Sequence, residues 1–139
     1  MPKLSLPHTL MIIDDSRFDQ LIISRTAEHT RLFKKIIVMP GAMEALEHLT
    51  KNLQNQQELP QLILLDIQMP EMNGFEFIDH FAQLPTSFTD TCGVIMLSST
   101  DDLTDIEKAG SNPYIIKLLK KPLRPDVLTG IINEHFVSG

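Results

Sequence analysis

Apolar residues fall along this chain in two alternating rhythms. Leu10-Met11-Ile12-Ile13, Ile36-Ile37-Val38, Leu62-Ile63-Leu64-Leu65 and Val94-Ile95-Met96-Leu97 are continuous runs with no polar face. Strands covered on both sides of a parallel sheet have this pattern. A fifth run lies within residues 114–119, where Lys117 and Lys120-Lys121 blur it. Between the runs, apolar positions recur at helical spacing. Phe18, Leu21 and Ile22, with the aliphatic stem of Arg25, predict one buried helix face. Ala42, Ala45, Leu46, Leu49 and Leu53 form the clearest stripe. Phe75, Ile78 and Phe81, then Leu103, Ile106 and Ala109, then Val127, Leu128, Ile131, Ile132 and Phe136 complete the set.

Punctuation agrees with this division. Ser16 with Asp19 three residues on is a helix-start pair, and Pro125 suits a first helical turn. Pro40-Gly41, Pro70 with Asn73-Gly74, and Gly110-Ser111-Asn112-Pro113 mark breaks. Residues 52–60 are polar and predict a surface loop, and 84–92 a connection rich in Thr, Ser and Pro. Residues 1–8, with two prolines, predict a short, loosely ordered tail. Strands alternate with helices, without internal repeat or composition break. This predicts one α/β domain over 9–139, a parallel sheet with right-handed crossovers.

Composition narrows the function classes. A net charge of −6 over 139 residues, without a basic stripe, argues against nucleic acid as partner. It is compatible with a bound cation. No apolar stretch is long enough for a signal-peptide core or a membrane span. Cys92 stands alone, so no internal disulfide forms and a reducing, cytoplasmic setting is expected. The five histidines lack metal-ligand spacing and are expected at the surface, and the seven methionines are scattered gap fillers.

Chemistry collects where the strands end. Asp14-Asp15 closes the first run, Asp66 the third, Ser98-Ser99 the fourth, and Lys121-Pro122 follows the fifth. Open α/β folds bind ligands beyond the carboxyl ends of their strands. Three carboxylates at one sheet edge repel one another and call for a cation, and oxygen-only ligands suit Mg²⁺. Asp66 then fits a nucleophile that forms an aspartyl phosphate, with Lys121 and Ser98 contacting phosphoryl oxygens. Each residue has a structural reading on its own: helix capping for Asp14, Asp15 and Ser98, a turn for Asp66, a solvated pair for Lys120-Lys121. Four chemically matched strand ends together are not explained that way.

With Ile12-Ile13-Asp14-Asp15, the stretch from Leu64 through Asp66 to Gly74, Met96-Leu97-Ser98-Ser99 and Lys121-Pro122-Leu123 in this order, the chain resembles a response-regulator receiver domain. It is similar to the stand-alone, chemotaxis-regulator type of bacterial two-component and phosphorelay signalling. The resemblance runs from about residue 9 to 136. It implies a flavodoxin-like (βα)5 three-layer sandwich with a five-stranded parallel sheet of order 2-1-3-4-5. It implies that Asp66 accepts a phosphoryl group from a sensor histidine kinase or histidine phosphotransfer protein, and that the protein is not an enzyme in the ordinary sense. Asp14, Asp15, Asp66 and the backbone carbonyl of Gln68 would hold Mg²⁺ or Mn²⁺. Ser98 would be the switch hydroxyl and Lys121 the phosphoryl contact. With no output domain expected, signalling would pass to a downstream protein on the face of the fourth helix, fifth strand and fifth helix.

One position departs from the family pattern. Leu118 stands where an aromatic switch residue is usual, three before Lys121, while Tyr114 lies three before Lys117, which lacks the following proline. Two other readings compete. An aspartyl-phosphate phosphatase would place a second Asp two residues after the first, where this chain has Gln68. A degenerate receiver would act as an interaction module without phosphorylation.

Overall fold

The structure is a computed structural model that describes residues 4–137. Its strands are β1 (Leu4–Ser5), β2 (Thr9–Ile13), β3 (Lys35–Met39), β4 (Leu62–Asp66), β5 (Gly93–Ser98), β6 (Ile115–Lys120) and β7 (Phe136–Val137). The helices are α1 (Arg17–Thr30), α2 (Ala42–Lys51), α3 (Gly74–Phe81), the single turn α4 (Thr86–Thr89), α5 (Leu103–Gly110) and α6 (Pro125–His135). A 3-10 turn at Gln56–Glu58 interrupts the polar loop after α2.

The five long strands form one parallel sheet in the order β3-β2-β4-β5-β6. Counted over these five strands, this is the expected 2-1-3-4-5. Of the four unbroken apolar runs, those in β2, β4 and β5 are buried at every position, while β3, at the sheet edge, is covered less well and exposes Val38. Alternate side chains feed two cores, because successive residues of a strand point to opposite faces. Leu10, Ile12, Leu62, Leu64, Ile95 and Leu97 meet Ile23 and Ala27 of α1 and Leu128, Ile131 and Ile132 of α6. Met11, Ile13, Ile63, Leu65, Val94 and Met96 meet Ala45 and Leu49 of α2, Phe77, Ile78 and Phe81 of α3, and Ala109 of α5. The result is a three-layer α/β/α sandwich.

Tertiary context overrules four local expectations. Residues 1–3 lie outside the described part, but Leu4–Ser5 do not form a loose tail. They pair in parallel with Phe136–Val137, and the Leu6 N–H donates to the Val137 carbonyl at 2.9 Å. The predicted face of α1 is the wrong one: Phe18 is 71% exposed, Leu21 also faces out, and Ile23, Thr26 and Ala27 are buried. Small and β-branched residues fit where α1 lies close to α6, and Thr26 Oγ1 donates to the Leu123 carbonyl at 3.3 Å. On α5 only Ala109 is buried, while Leu103 is 74% exposed and Ile106 is also exposed. That helix packs mainly on the edge strand β6, with Lys108 over the Phe75 ring of α3, so much of its apolar stripe stays uncovered, and Val127 of α6 is exposed too. Finally, His48 is no surface histidine, since its half-buried ring hydrogen-bonds the Glu58 carbonyl at 2.8 Å.

The blurred fifth run has a physical cause. A bulge shifts the β5–β6 register between Val94–Ile115 and Ile95–Lys117, and β6 is an edge strand. Lys117 and Lys120 are exposed there, as charged residues on sheet edges commonly are.

Candidate functional site

The carboxyl ends of β2, β4, β5 and β6 bring Asp14, Asp15, Asp66, Ser98 and Lys121 to one edge of the sheet. Asp14 is wholly buried, and each of its carboxylate oxygens is held. Oδ1 accepts the Ser16 N–H at 2.9 Å, and Oδ2 accepts from Lys121 Nζ at 2.9 Å. The Gln20 side chain donates to the Asp14 carbonyl at 2.7 Å, tying α1 to the strand end. Ser16 caps α1 by accepting the Asp19 N–H at 3.2 Å, as the Ser-Asp pair predicts.

Asp66 ends β4 opposite Leu97 of β5 and is buried. The loop behind it returns to start α3. Glu71 takes a positive φ of 68°, Asn73 and Glu76 form a reciprocal capping box, and the Gly74 N–H donates to the Ile67 carbonyl at 2.8 Å. Gly74 approaches so closely that a Cβ there would lie 2.8 Å from the Asp66 carbonyl oxygen and 3.0 Å from Ile67 Cα. These are backbone atoms that cannot swing aside. Gly74→Ala is therefore expected to cost about 1–3 kcal/mol in urea unfolding, the usual scale of overpacking. A loss below about 0.5 kcal/mol would show that the loop yields freely.

Lys121 closes the site. Its N–H donates to the Ser98 carbonyl at 2.7 Å, and its peptide bond to Pro122 is cis. Its ammonium lies 2.9 Å from Asp14 Oδ2, 2.9 Å from Asp19 Oδ2 and 3.4 Å from Asp66 Oδ1. Burial works against the charged ammonium, but hydrogen bonds to Asp19 and Asp14 and the charges of Asp66 and Asp14 outweigh it. Together they hold Lys121 above the usual lysine range. Asp66 is raised as well, which for a carboxylate disfavours the charged form. Burial, then the charge of Asp14, pushes it up to about 6, against the pull of Lys121 and the Gln68 backbone N–H.

Carboxylate oxygens of Asp14, Asp15 and Asp66 all lie within 4.8 Å of one another. Asp15 is exposed and gives the cluster an open side. The donor set is oxygen only, and one lysine does not balance the acids, so the residues fit a hard divalent cation. Gln68 is exposed on the loop directly after Asp66 and Ile67.

Ser98 is buried at the end of β5, and its hydroxyl is turned into its own loop. Oγ donates to the Thr100 carbonyl at 2.9 Å and accepts the Thr100 N–H at 3.0 Å. Leu118 pairs in register with Met96, half-buried against the α3/α5 core, while Tyr114 packs edge-on to Phe81 at 5.7 Å. Cys92 is buried beside β5, where desolvation pushes its thiol far up and leaves it inert. Asp19 is the site residue that sequence reading left as a mere capping partner. The available signal was its place in the first turn of the helix that follows Asp14-Asp15, and so at the same edge of the sheet.

The parallel five-stranded sandwich with an acidic strand-end cluster defines a class, the flavodoxin-like receivers. Residues 10–133 match the response regulator receiver domain family, and the chain belongs to it. A response regulator receiver protein of known structure from Dyadobacter fermentans is 36% identical, with a TM-score of 0.83, covering 94% of this chain and 98% of that one. A two-component response regulator from Cytophaga hutchinsonii is 26% identical with a TM-score of 0.84, covering 96% and 97%. An uncharacterized 14.6 kDa protein from the sodA1 3' region of Leptolyngbya boryana is 33% identical over 106 residues, 74% of this chain and 72% of that protein. The transcriptional regulatory protein HptR of Staphylococcus aureus is 34% identical over 91 residues, 66% of this chain, which spans 31% of HptR's length. Receivers are signalling proteins that act with histidine kinases or phosphotransfer proteins and with downstream targets, and they bind Mg²⁺ through an acidic pocket. Among the described residues, no helix is long and apolar enough to cross a membrane.

Proposed function

We propose that this receiver is a phosphoacceptor, taking a phosphoryl group on Asp66 from a histidine kinase or phosphotransfer protein. The observation that carries the proposal is the convergence on Asp66. A buried carboxylate has Lys121 Nζ at 3.4 Å and two further carboxylates within 4.8 Å. In the transfer, an Asp66 carboxylate oxygen attacks phosphorus. The O–P bond forms as the N–P bond to the donor imidazole breaks, and the imidazole leaves with the bonding electron pair. Lys121 offers a positive charge to a phosphoryl oxygen. Asp14, Asp15, Asp66 and the Gln68 carbonyl would hold Mg²⁺, or Mn²⁺, which when bound neutralises charge on the phosphoryl group.

Phosphorylation adds about −1.5 to −2 charge at the strand edge and a new acceptor for Ser98. Ser98 would leave Thr100 for that acceptor and draw the β5–α5 loop with it. The output face is then α5, β6 and α6, the counterpart of the fourth-helix, fifth-strand and fifth-helix face. Exposed Leu103, Ile106 and Val127, with Lys117 and Lys120 at the strand edge, support a protein target there. The lone buried Cys92 supports a reducing, cytoplasmic setting.

Intact-protein mass after incubation with a small phosphodonor tests the proposal. One Mg²⁺-dependent phosphoryl addition is expected on the wild-type chain and none on Asp66→Asn. Absence of addition from every donor, a cognate kinase included, would leave the chain an interaction module.

A further inference from the structure

We infer that Asp19 is a positioning residue for Lys121, the counter-ion that keeps the ammonium when Asp14 and Asp66 turn to a divalent cation. The inference rests on the metal-assisted reading above and names what regulates that site.

Three carboxylates share one ammonium, and they are not equivalent. Asp14 and Asp66 belong to the cluster whose oxygens converge within 4.8 Å, and Asp19 does not. Asp14 already gives one oxygen to the Ser16 N–H and the other to Lys121. A cation drawn to Asp14, Asp15 and Asp66 therefore competes with Lys121 for the same oxygens and repels its charge. Asp19 Oδ2, at 2.9 Å from Nζ, is the acceptor that this competition leaves free.

The geometry favours such a role. Asp19 sits in the first turn of α1, directly behind the Ser16 cap, so its backbone is fixed. Its side chain is 34% exposed, so trimming it opens no cavity. Charge accounting points the same way. Asp14, Asp15, Asp19 and Asp66 carry four negative charges against one on Lys121, and a divalent cation reduces the excess from three to one. If Asp19 became neutral, the ammonium would settle on Asp14 and Asp66 and hold the cation off.

The test is Mg²⁺ titration of the full chain by calorimetry, with wild type, Asp19→Asn, Lys121→Met and the double variant. Asp19→Asn is expected to weaken Mg²⁺ binding about tenfold, because the ammonium returns to two of the ligands. With Lys121→Met the same change is expected to cost less than about twofold. An equal loss in both backgrounds would mean that Asp19 acts only through its charge, and would overturn the inference. Should Lys121→Met fail to fold, NMR of the Lys121 ε-methylene protons supplies the second reading. In Mg²⁺-loaded wild type they are expected to be inequivalent, held by Asp19, and in loaded Asp19→Asn averaged to one signal. Inequivalence in both would overturn the inference. Wild type that binds no Mg²⁺ would remove the metal-assisted reading as well, whereas unchanged affinity in Asp19→Asn removes only the role of Asp19.

Discussion

Lys121→Met is expected to destabilise the metal-free protein by about 3–5 kcal/mol, the cost of leaving buried charges without their partner. Methionine matches the lysine stem in length, so packing changes little and the loss reports the ammonium. That ammonium serves Asp14, which has no exposed surface, and also Asp19 and Asp66. Urea unfolding at pH 7 with a chelator measures the loss. Mg²⁺ is expected to restore part of it, about 2.7 kcal/mol at a hundred times its dissociation constant. A loss under about 1 kcal/mol would mean that water solvates Asp14 once Lys121 is gone. The neighbouring lysine provides the contrast. Lys120 pairs with Asp101 at 2.9 Å, but both side chains are more than half exposed. Its replacement by methionine is expected to cost at most about 1 kcal/mol.

Metal-free protein is expected to become more stable as the pH falls from 7.5 to 4.5, through Asp66. Burial, with the Asp14 charge behind it, raises the Asp66 carboxyl to about 6 in the folded chain. In the unfolded chain it titrates near the ordinary value of about 4. Between these values the folded state binds more protons than the unfolded one, so stability falls as pH rises through the window. Above about 6 the full penalty persists, roughly 2–3 kcal/mol. Other carboxylates titrate in the same range, so the comparison is with Asp66→Asn, which lacks the dependence. The difference between the two pH profiles in urea isolates Asp66. Asp66→Asn is expected to be the more stable protein at pH 7.5 and to lose that advantage by pH 4.5. Saturating Mg²⁺ should flatten the wild-type profile, since a bound cation favours the ionised carboxylate. A wild-type profile parallel to that of Asp66→Asn would show that water relieves the buried charge.

The strands and the acids that end them were legible in the sequence. A strand covered on both faces admits no polar residue, so the Leu62–Asp66 segment announces both its burial and, at Asp66, the sheet edge. The start of α1 was legible for the same local reason, since Ser16 caps through a side-chain bond spanning three residues, whereas Asn73 read only as a break and its capping box emerged in the structure. Which stripe of a helix is buried was not legible. In α1, Phe18 with Leu21 and Ile23 with Thr26 and Ala27 satisfy the same helical period. Only the neighbouring sheet and α6 select the slimmer set. The β1–β7 pair was equally silent, since two-residue strands at opposite ends of the chain carry no periodic signal.

The site divides along the same line. Residue types at strand ends follow from local pattern, so Asp14, Asp15, Asp66, Ser98 and Lys121 could be nominated from the sequence alone. Their partners follow from topology. Lys121 meets Asp14 and Asp19 across 107 and 102 residues of chain because β6 and β2 end at the same edge of one sheet. Ser98 bonds Thr100 because its loop folds back on itself. Sequence determined which charges this protein brings to the sheet edge. The tertiary structure decided which of them share a proton donor, because distance through space, not along the chain, sets an electrostatic interaction.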